Sequence, residues 1–167
     1  MKLPSWIYRS DRIGLHGKIF SVYKIRTLIP NADKLTQFAT PEVYTRFGRF
    51  LRRTKLDEFL QIVNVLRGNM SLVGPRPDFQ ESYDIMPDYA KEKILSVKPG
   101  MTSLASIYFY DEEELLQKEG DKLKNYWTII KPIKILLDCF YVENKCFLLD
   151  LVILWLTFKK VIRSFFK

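Results

Sequence analysis

Cysteine, histidine and long apolar runs are scarce in this chain, and each scarcity removes a class of function. Its 167 residues include two cysteines, Cys139 and Cys146, and one histidine, His16. The cysteines stand in apolar surroundings without metal-ligand spacing, and one histidine cannot complete a zinc site with them. Reduced, buried thiols in a cytosolic compartment are expected. No run of about 18 apolar residues is present, so no membrane-spanning helix is predicted. The start, Met1-Lys2-Leu3-Pro4-Ser5, lacks the apolar centre of a signal peptide. Without repeats or a low-complexity linker, residues 1–167 read as a single domain.

Acidic charge is also in deficit. There are 27 Lys and Arg against 19 Asp and Glu, a net charge of +8, which calls for an anionic partner: nucleic acid, anionic lipid or a phosphorylated substrate. A nucleic-acid module would gather its cations into one basic face with exposed aromatics. Here they are spread along the chain, so no nucleic-acid partner is expected.

Hydrophobic residues make up 47% of the chain, enough for a core. Trp6–Arg9 reads as a short strand, and the glycines around His16 as a turn that holds this histidine. Ile19–Leu28 alternates, placing Phe20, Val22, Lys24 and Arg26 on one side. Two cations on one strand face can reach one anion. Residues 30–41 read as a loop and Val43–Leu51 as a helix with Val43, Phe47, Phe50 and Leu51 on its apolar side. A helix across 78–95 is expected to break at Pro87. The acids Asp111–Glu114 read as a solvated first turn of a helix rather than a metal site. Pro132 opens a further helix with Ile133, Leu136, Leu137, Phe140 and Tyr141 along its apolar side. Asp138 lies within that run and is expected to meet a cation or a backbone cap. Phe147–Phe166 is apolar with Lys159, Lys160 and Arg163 toward its end. It fits either a helix on a membrane interface or a core helix ending in a basic turn.

The densest stretch runs from Arg52 to Pro77. Leu56, Phe59, Leu60, Val63 and Leu66 recur at helical spacing, with Thr54 and Asp57 placed as a capping pair. Asp57, Gln61 and Asn64 form a second, polar line. A carboxylate in a first turn is expected to stay ionised, and the backbone N–H groups there favour phosphate. Gly74-Pro75-Arg76-Pro77 is a stiff loop that presents one arginine, suited to gripping an anion through two hydrogen bonds.

Residues 56–77, Leu-Asp-Glu-x-x-Gln-x-x-Asn-Val-Leu-x-Gly-x-Met-Ser-x-Val-Gly-Pro-Arg-Pro, resemble without a gap the signature of the bacterial sugar transferases, the monotopic polyprenyl-phosphate phosphoglycosyltransferases. Lys98-Pro99-Gly100 with Thr102, Tyr141–Asn144 and Phe147–Leu151 extend the likeness over residues 6–166. The chain departs from the pattern at Ser103 and Ser106, and it carries Tyr108-Phe109-Tyr110 where Asn-Gly-Arg is often found. It also starts just after the place where family members usually carry a re-entrant membrane helix. A truncation, a partner chain supplying the anchor, or a soluble relic would each account for that.

The resemblance implies an α+β fold: a mostly helical domain with a small N-terminal hairpin and an interfacial C-terminal helix. It implies transfer of a sugar-1-phosphate from a nucleoside-diphosphate sugar, a UDP-sugar above all, to polyprenyl phosphate at the cytoplasmic face of the bacterial inner membrane, to start a surface glycan. Asp57 is the implied nucleophile, through a phosphosugar-aspartyl intermediate. Glu58 is its partner, and the two are the implied ligands of Mg²⁺. Lys24, Arg26, Arg52 and Arg76 are the implied phosphate grips, with Asp138, Asp150 and Gln61 as supports of that apparatus. The alternative is a non-catalytic member of the family that binds a membrane or a partner.

Overall fold

The computed structural model describes residues 4–29, 44–110 and 126–166. The expected loop at 30–41 and the acidic helix start at 111–114 lie outside the described residues.

A hairpin comes first. Strand β1, Ile7–Ile13, pairs antiparallel with β2, Ile19–Ile25, so that Ile7 faces Ile25 and Ile13 faces Ile19. The turn between them needs left-handed backbone at His16 (φ 55°) and Gly17 (φ 76°), which makes the only histidine a turn residue, as its neighbours suggested. β1 runs past the predicted Arg9 because Ser21 Oγ donates to Asp11 Oδ1 at 2.7 Å and Arg9 Nε donates to Ser21 Oγ at 2.8 Å across the ladder. β2 ends at Ile25, and Leu28 bridges instead to Tyr44.

Helix α1, Arg46–Arg53, is capped by Thr45, whose Oγ1 accepts from Gly48 N at 2.8 Å. Leu51 is buried, but Phe47 points outward, against expectation. A 3₁₀ turn, Leu56–Gln61, leads into α2, Ile62–Leu66. Strand β3, Ser71–Val73, and strand β4, Gly100–Thr102, form a parallel pair. Their backbones cross so closely that a Cβ on Gly100 would collide with the backbone of Gly74. Helices α3, Gln80–Asp84, and α4, Asp88–Leu95, are separated at Pro87 as predicted. Helix α5, Leu104–Tyr108, starts at Ser103, whose Oγ accepts from Ser106 N. A π-helical turn, Tyr126–Ile130, feeds α6, Lys131–Asn144, with Pro132 in its first turn. Helix α7, Phe147–Phe165, completes the described chain.

Among the described residues, burial is divided among three small clusters. Ile13, Tyr83, Met86, Ala90, Ile94 and Cys139 join the hairpin to α3, α4 and α6. Val73, Tyr141 and Ile153 join β3, α6 and α7. Phe109 and Ile130 form the third. The architecture is the expected α+β, mainly helical with a small sheet near the N-terminus.

Three helical segments turn their apolar side outward. In the 56–66 segment Phe59 is 63% and Leu66 81% exposed, while Asp57, Gln61 and Asn64 are buried. On α6, Leu136 and Phe140 are exposed and Lys131, Asp138, Cys139 and Tyr141 are buried. On α7, Trp155, Phe158 and Phe165 are exposed, while Ile153 and Ser164 face inward. The predicted apolar faces of 56–66 and, in part, of α6 are therefore corrected. Among the described residues, no helix is long and apolar enough to cross a membrane.

Candidate active site

Thr54 does not cap the helix that follows it. It is fully buried, and its Oγ1 donates back to the carbonyl oxygens of Phe50 (2.8 Å) and Leu51 (3.1 Å), closing α1. Lys55 then takes a left-handed conformation (φ 58°), which reverses the chain and starts the 3₁₀ turn. This reversal points the polar line of the segment inward. Asn64 Nδ2 donates to the Ser21 carbonyl oxygen at 2.7 Å, locking the segment to β2. The hairpin thus supplies a backbone acceptor for the inward Asn64.

Asp57 and Glu58 reach a cavity of about 600 Å³ between the hairpin, the Pro-Arg-Pro loop, α5, α6 and α7. Glu58 Oε1 receives both Lys24 Nζ, at 3.0 Å, and Arg76 Nη2. These two cations hold the Glu58 carboxyl far below the usual carboxylate range, although its burial opposes them. Burial lowers the proton affinity of Lys24, against the pull of Glu58. Asp57 differs from its neighbour. It is 5% exposed, and its Oδ1 is buried with no hydrogen-bond partner among the described residues. Burial first, then the Glu58 charge, push its pKa up, while Lys24, Arg52 and Lys55 pull it down. Desolvation thus opposes the ionised state expected of Asp57, and the three cations favour it.

The structure gathers Lys24, Arg52, Asp57, Glu58, Gln61, Arg76 and Asp138 around this cavity. Arg52 also lies over the Tyr44 ring, 5.1 Å from its centroid. Arg26 is not brought in. It is exposed, one residue beyond β2, and does not line the cavity. Asp150 is elsewhere too: the Tyr141 hydroxyl donates to its Oδ1 at 2.7 Å, with the Val73 carbonyl oxygen 3.2 Å from the same hydroxyl. Asp150 thus supports the packing of α6 on α7 rather than a cation of the site. Asp138 was expected to meet a cation or a cap, yet its Oδ1 is buried without a hydrogen-bond partner among the described residues, and burial pushes its pKa up to about 7.

Five charged cavity residues escaped the sequence reading: Arg12, Lys55, Asp78, Lys131 and Lys134. Lys131 Nζ is paired with Asp78 Oδ2. The Arg12 guanidinium lies 3.2 Å from the centroid of the Phe79 ring, a cation–π contact. Asp78 directly follows the rigid loop and Lys131 directly precedes the helix-starting Pro132. Those neighbours were the available signals, but the pairing spans 53 positions, which local periodicity does not see.

A buried carboxylate with a free oxygen, beside a second one pinned by two cations, can attack an electrophilic phosphorus while the cations bear the charge of its oxygens. The fit to magnesium is of one kind. Among the described residues no three ligating side chains cluster. Asp57 and Glu58 suit an ion that takes one or two carboxylates and leaves its other positions to phosphate oxygens and water, as Mg²⁺ does.

Comparison with known proteins identifies relatives of the chain. The family model described as bacterial sugar transferase matches residues 2–164. An uncharacterized sugar transferase, EpsL of Bacillus subtilis, is 38% identical over 160 residues, covering 94% of this chain and 70% of its own length. The undecaprenyl-phosphate galactose phosphotransferase of Salmonella typhimurium is 35% identical over 178 residues, covering 94% of this chain and 33% of its own. The UDP-glucose:undecaprenyl-phosphate glucose-1-phosphate transferase of Klebsiella pneumoniae is 36% identical over 158 residues, covering 90% and 31%. The chain therefore spans about a third of the length of the last two. With the match running through nearly every residue and through the Asp57–Glu58 centre, this chain belongs to the bacterial sugar transferase family.

Proposed function

We propose that the protein transfers a sugar-1-phosphate from a nucleoside-diphosphate sugar, a UDP-sugar by likeness to the Klebsiella relative, to polyprenyl phosphate. The observation that carries this reading is the contrast between the two adjacent carboxylates: Glu58 is clamped by Lys24 and Arg76, and Asp57 is buried with an oxygen left over.

In the first half-reaction Asp57 Oδ attacks the phosphorus that bears the sugar. The bond from that phosphorus to the bridging oxygen breaks, and the nucleoside monophosphate leaves with the bonding pair. In the second, a phosphate oxygen of the polyprenyl phosphate attacks the same phosphorus. The Asp57 ester bond breaks, restoring the carboxylate and yielding a polyprenyl diphosphate sugar. No proton must move in either displacement. Lys24, Arg52 and Arg76 bind and orient the phosphate oxygens. Glu58 holds Lys24 and Arg76 in place and screens them from closing on Asp57. Asp57 and Glu58 would hold Mg²⁺, which when bound offsets charge on the phosphates.

We place the protein at the cytoplasmic face of the bacterial membrane, as the initiating enzyme of a surface glycan. The outward Trp155 and Phe158 of α7, with Lys159 and Arg163 on the same helix, support contact with an anionic lipid interface. The test is a single turnover: protein, Mg²⁺ and a panel of UDP-sugars, followed by UMP release and intact mass. The expected result is stoichiometric UMP with a sugar-phosphate adduct on Asp57, absent in Asp57→Asn. Absence of an adduct with every sugar, in membrane-embedded protein, refutes the reading.

A further inference from the structure

Asp138 has no part in the displacement described above, and its setting is costly. It is 8% exposed on α6, it lines the cavity, and its Oδ1 has no hydrogen-bond partner among the described residues. A buried polar atom left unsatisfied is unfavourable unless something else compensates it. Asp138 itself lines the cavity, so a rotation of its carboxyl lets a bound ligand supply the partner.

We propose that Asp138 is a donor-recognition residue that hydrogen-bonds a hydroxyl or amide group of the sugar. This rests on the transferase reading above. Three observations favour a sugar over a phosphate as its ligand. The groups that face Asp138 carry both signs: Arg76 and Asp78 from the loop after β3, Lys131 and Lys134 from α6 itself, and the neutral Tyr83 from α3. Lys131 is already paired with Asp78. Such a corner offers hydrogen-bond donors and acceptors together, which suits a sugar hydroxyl. Second, a carboxyl group, whether ionised or protonated, pairs with a hydroxyl, whereas an ionised one repels phosphate. Third, Arg76 joins the two corners. It is bonded to Glu58 and lines the same cavity as Asp138, so a sugar esterified to a phosphate gripped by Arg76 shares that cavity with Asp138. The raised proton affinity of Asp138 fits a group that both donates and accepts near neutral pH.

The test is equilibrium binding in an Asp57→Asn background, which blocks turnover. Dissociation constants are measured by calorimetry for UDP and for UDP-glucose, UDP-galactose, UDP-N-acetylglucosamine and UDP-N-acetylgalactosamine, with Mg²⁺ present. Adding Asp138→Leu is expected to weaken the best UDP-sugar by about tenfold and UDP by less than about twofold. Adding Asp138→Asn instead, which keeps a donor and an acceptor, is expected to restore most of the loss. Asp138→Ala replaces the leucine variant if circular dichroism shows that the latter does not fold. Equal weakening of UDP and UDP-sugar, no weakening, or equal loss in the asparagine variant overturns the role of Asp138 and leaves the transferase reading intact. Failure of the parent protein to bind any UDP compound overturns both.

Discussion

Replacing Asp138 by asparagine should stabilise the protein, and by an amount that depends on pH. The side chain is almost wholly buried, and its pKa rises from the ordinary 3.8 to about 7, with burial the largest cause. A folded-state pKa above the unfolded one means that the folded chain holds the proton more tightly. Its stability contribution is therefore complete below about pH 4 and is lost as pH rises toward 7. At about 1.36 kcal/mol for each tenfold change in proton affinity, the loss amounts to ~4 kcal/mol once the group is ionised. An asparagine side chain cannot ionise and escapes that loss, while it keeps a polar group in the same space. Urea unfolding of both proteins at pH 5 and pH 8 measures the difference. The Asp138→Asn variant should gain about 1 kcal/mol at pH 5 and about 2–4 kcal/mol at pH 8, after some allowance for an imperfectly paired amide. Glu58 and Asp78, whose pKa values are lowered, act in the opposite sense and only below about pH 4, so they do not blur this window. A stability difference that stays constant or shrinks between pH 5 and pH 8 refutes the argument from burial.

Other perturbations follow from single contacts. Gly48→Ala should cost about 1–3 kcal/mol in urea unfolding, because its Cβ would strike the Thr27 carbonyl oxygen and Thr45 Oγ1 at the start of α1. Tyr141→Phe should cost about 1–2 kcal/mol by the same assay, since it removes the hydroxyl shared by Asp150 and Val73. Asp57→Asn should melt no lower than wild type at pH 7, because it removes a desolvated carboxylate, while its adduct disappears. Trp155→Glu combined with Phe158→Glu should reduce flotation with anionic liposomes by about tenfold or more without changing the circular dichroism spectrum.

The sequence made the segments legible where backbone chemistry is decisive. Pro87 separates α3 from α4, Pro132 opens α6, and the glycines around His16 turn the hairpin. The resemblance that starts from residues 56–77 also pointed to Asp57, Glu58, Lys24, Arg52 and Arg76, which line one cavity. Facing was not legible. Reading Phe59 and Leu66 inward assumes that water bathes the outside, and that the interior has no use for Asp57, Gln61 and Asn64. The hairpin carbonyl that receives Asn64 comes from 43 residues away, so no local pattern announces it. Thr54 was misassigned for a related reason: a threonine at the end of one helix and before the next fits both in one dimension, and only the left-handed Lys55 separates them. Arg26 shares a face with Lys24 in an ideal strand, but β2 stops at Ile25.

The clamp on Glu58 bears on how the signature stretch is to be used. Lys24 arrives from 34 positions before it and Arg76 from 18 positions after it, so the motif of residues 56–77 contains only one of the two jaws. A gene fragment or engineered chimera that preserves the motif but loses the hairpin would still be recognised as a member of the family. Its Glu58 would face Arg76 alone, and Asn64 would lose its acceptor on Ser21. The hairpin is thus the part of the active site that the motif leaves out, and a minimal transferable unit must begin before Ile7.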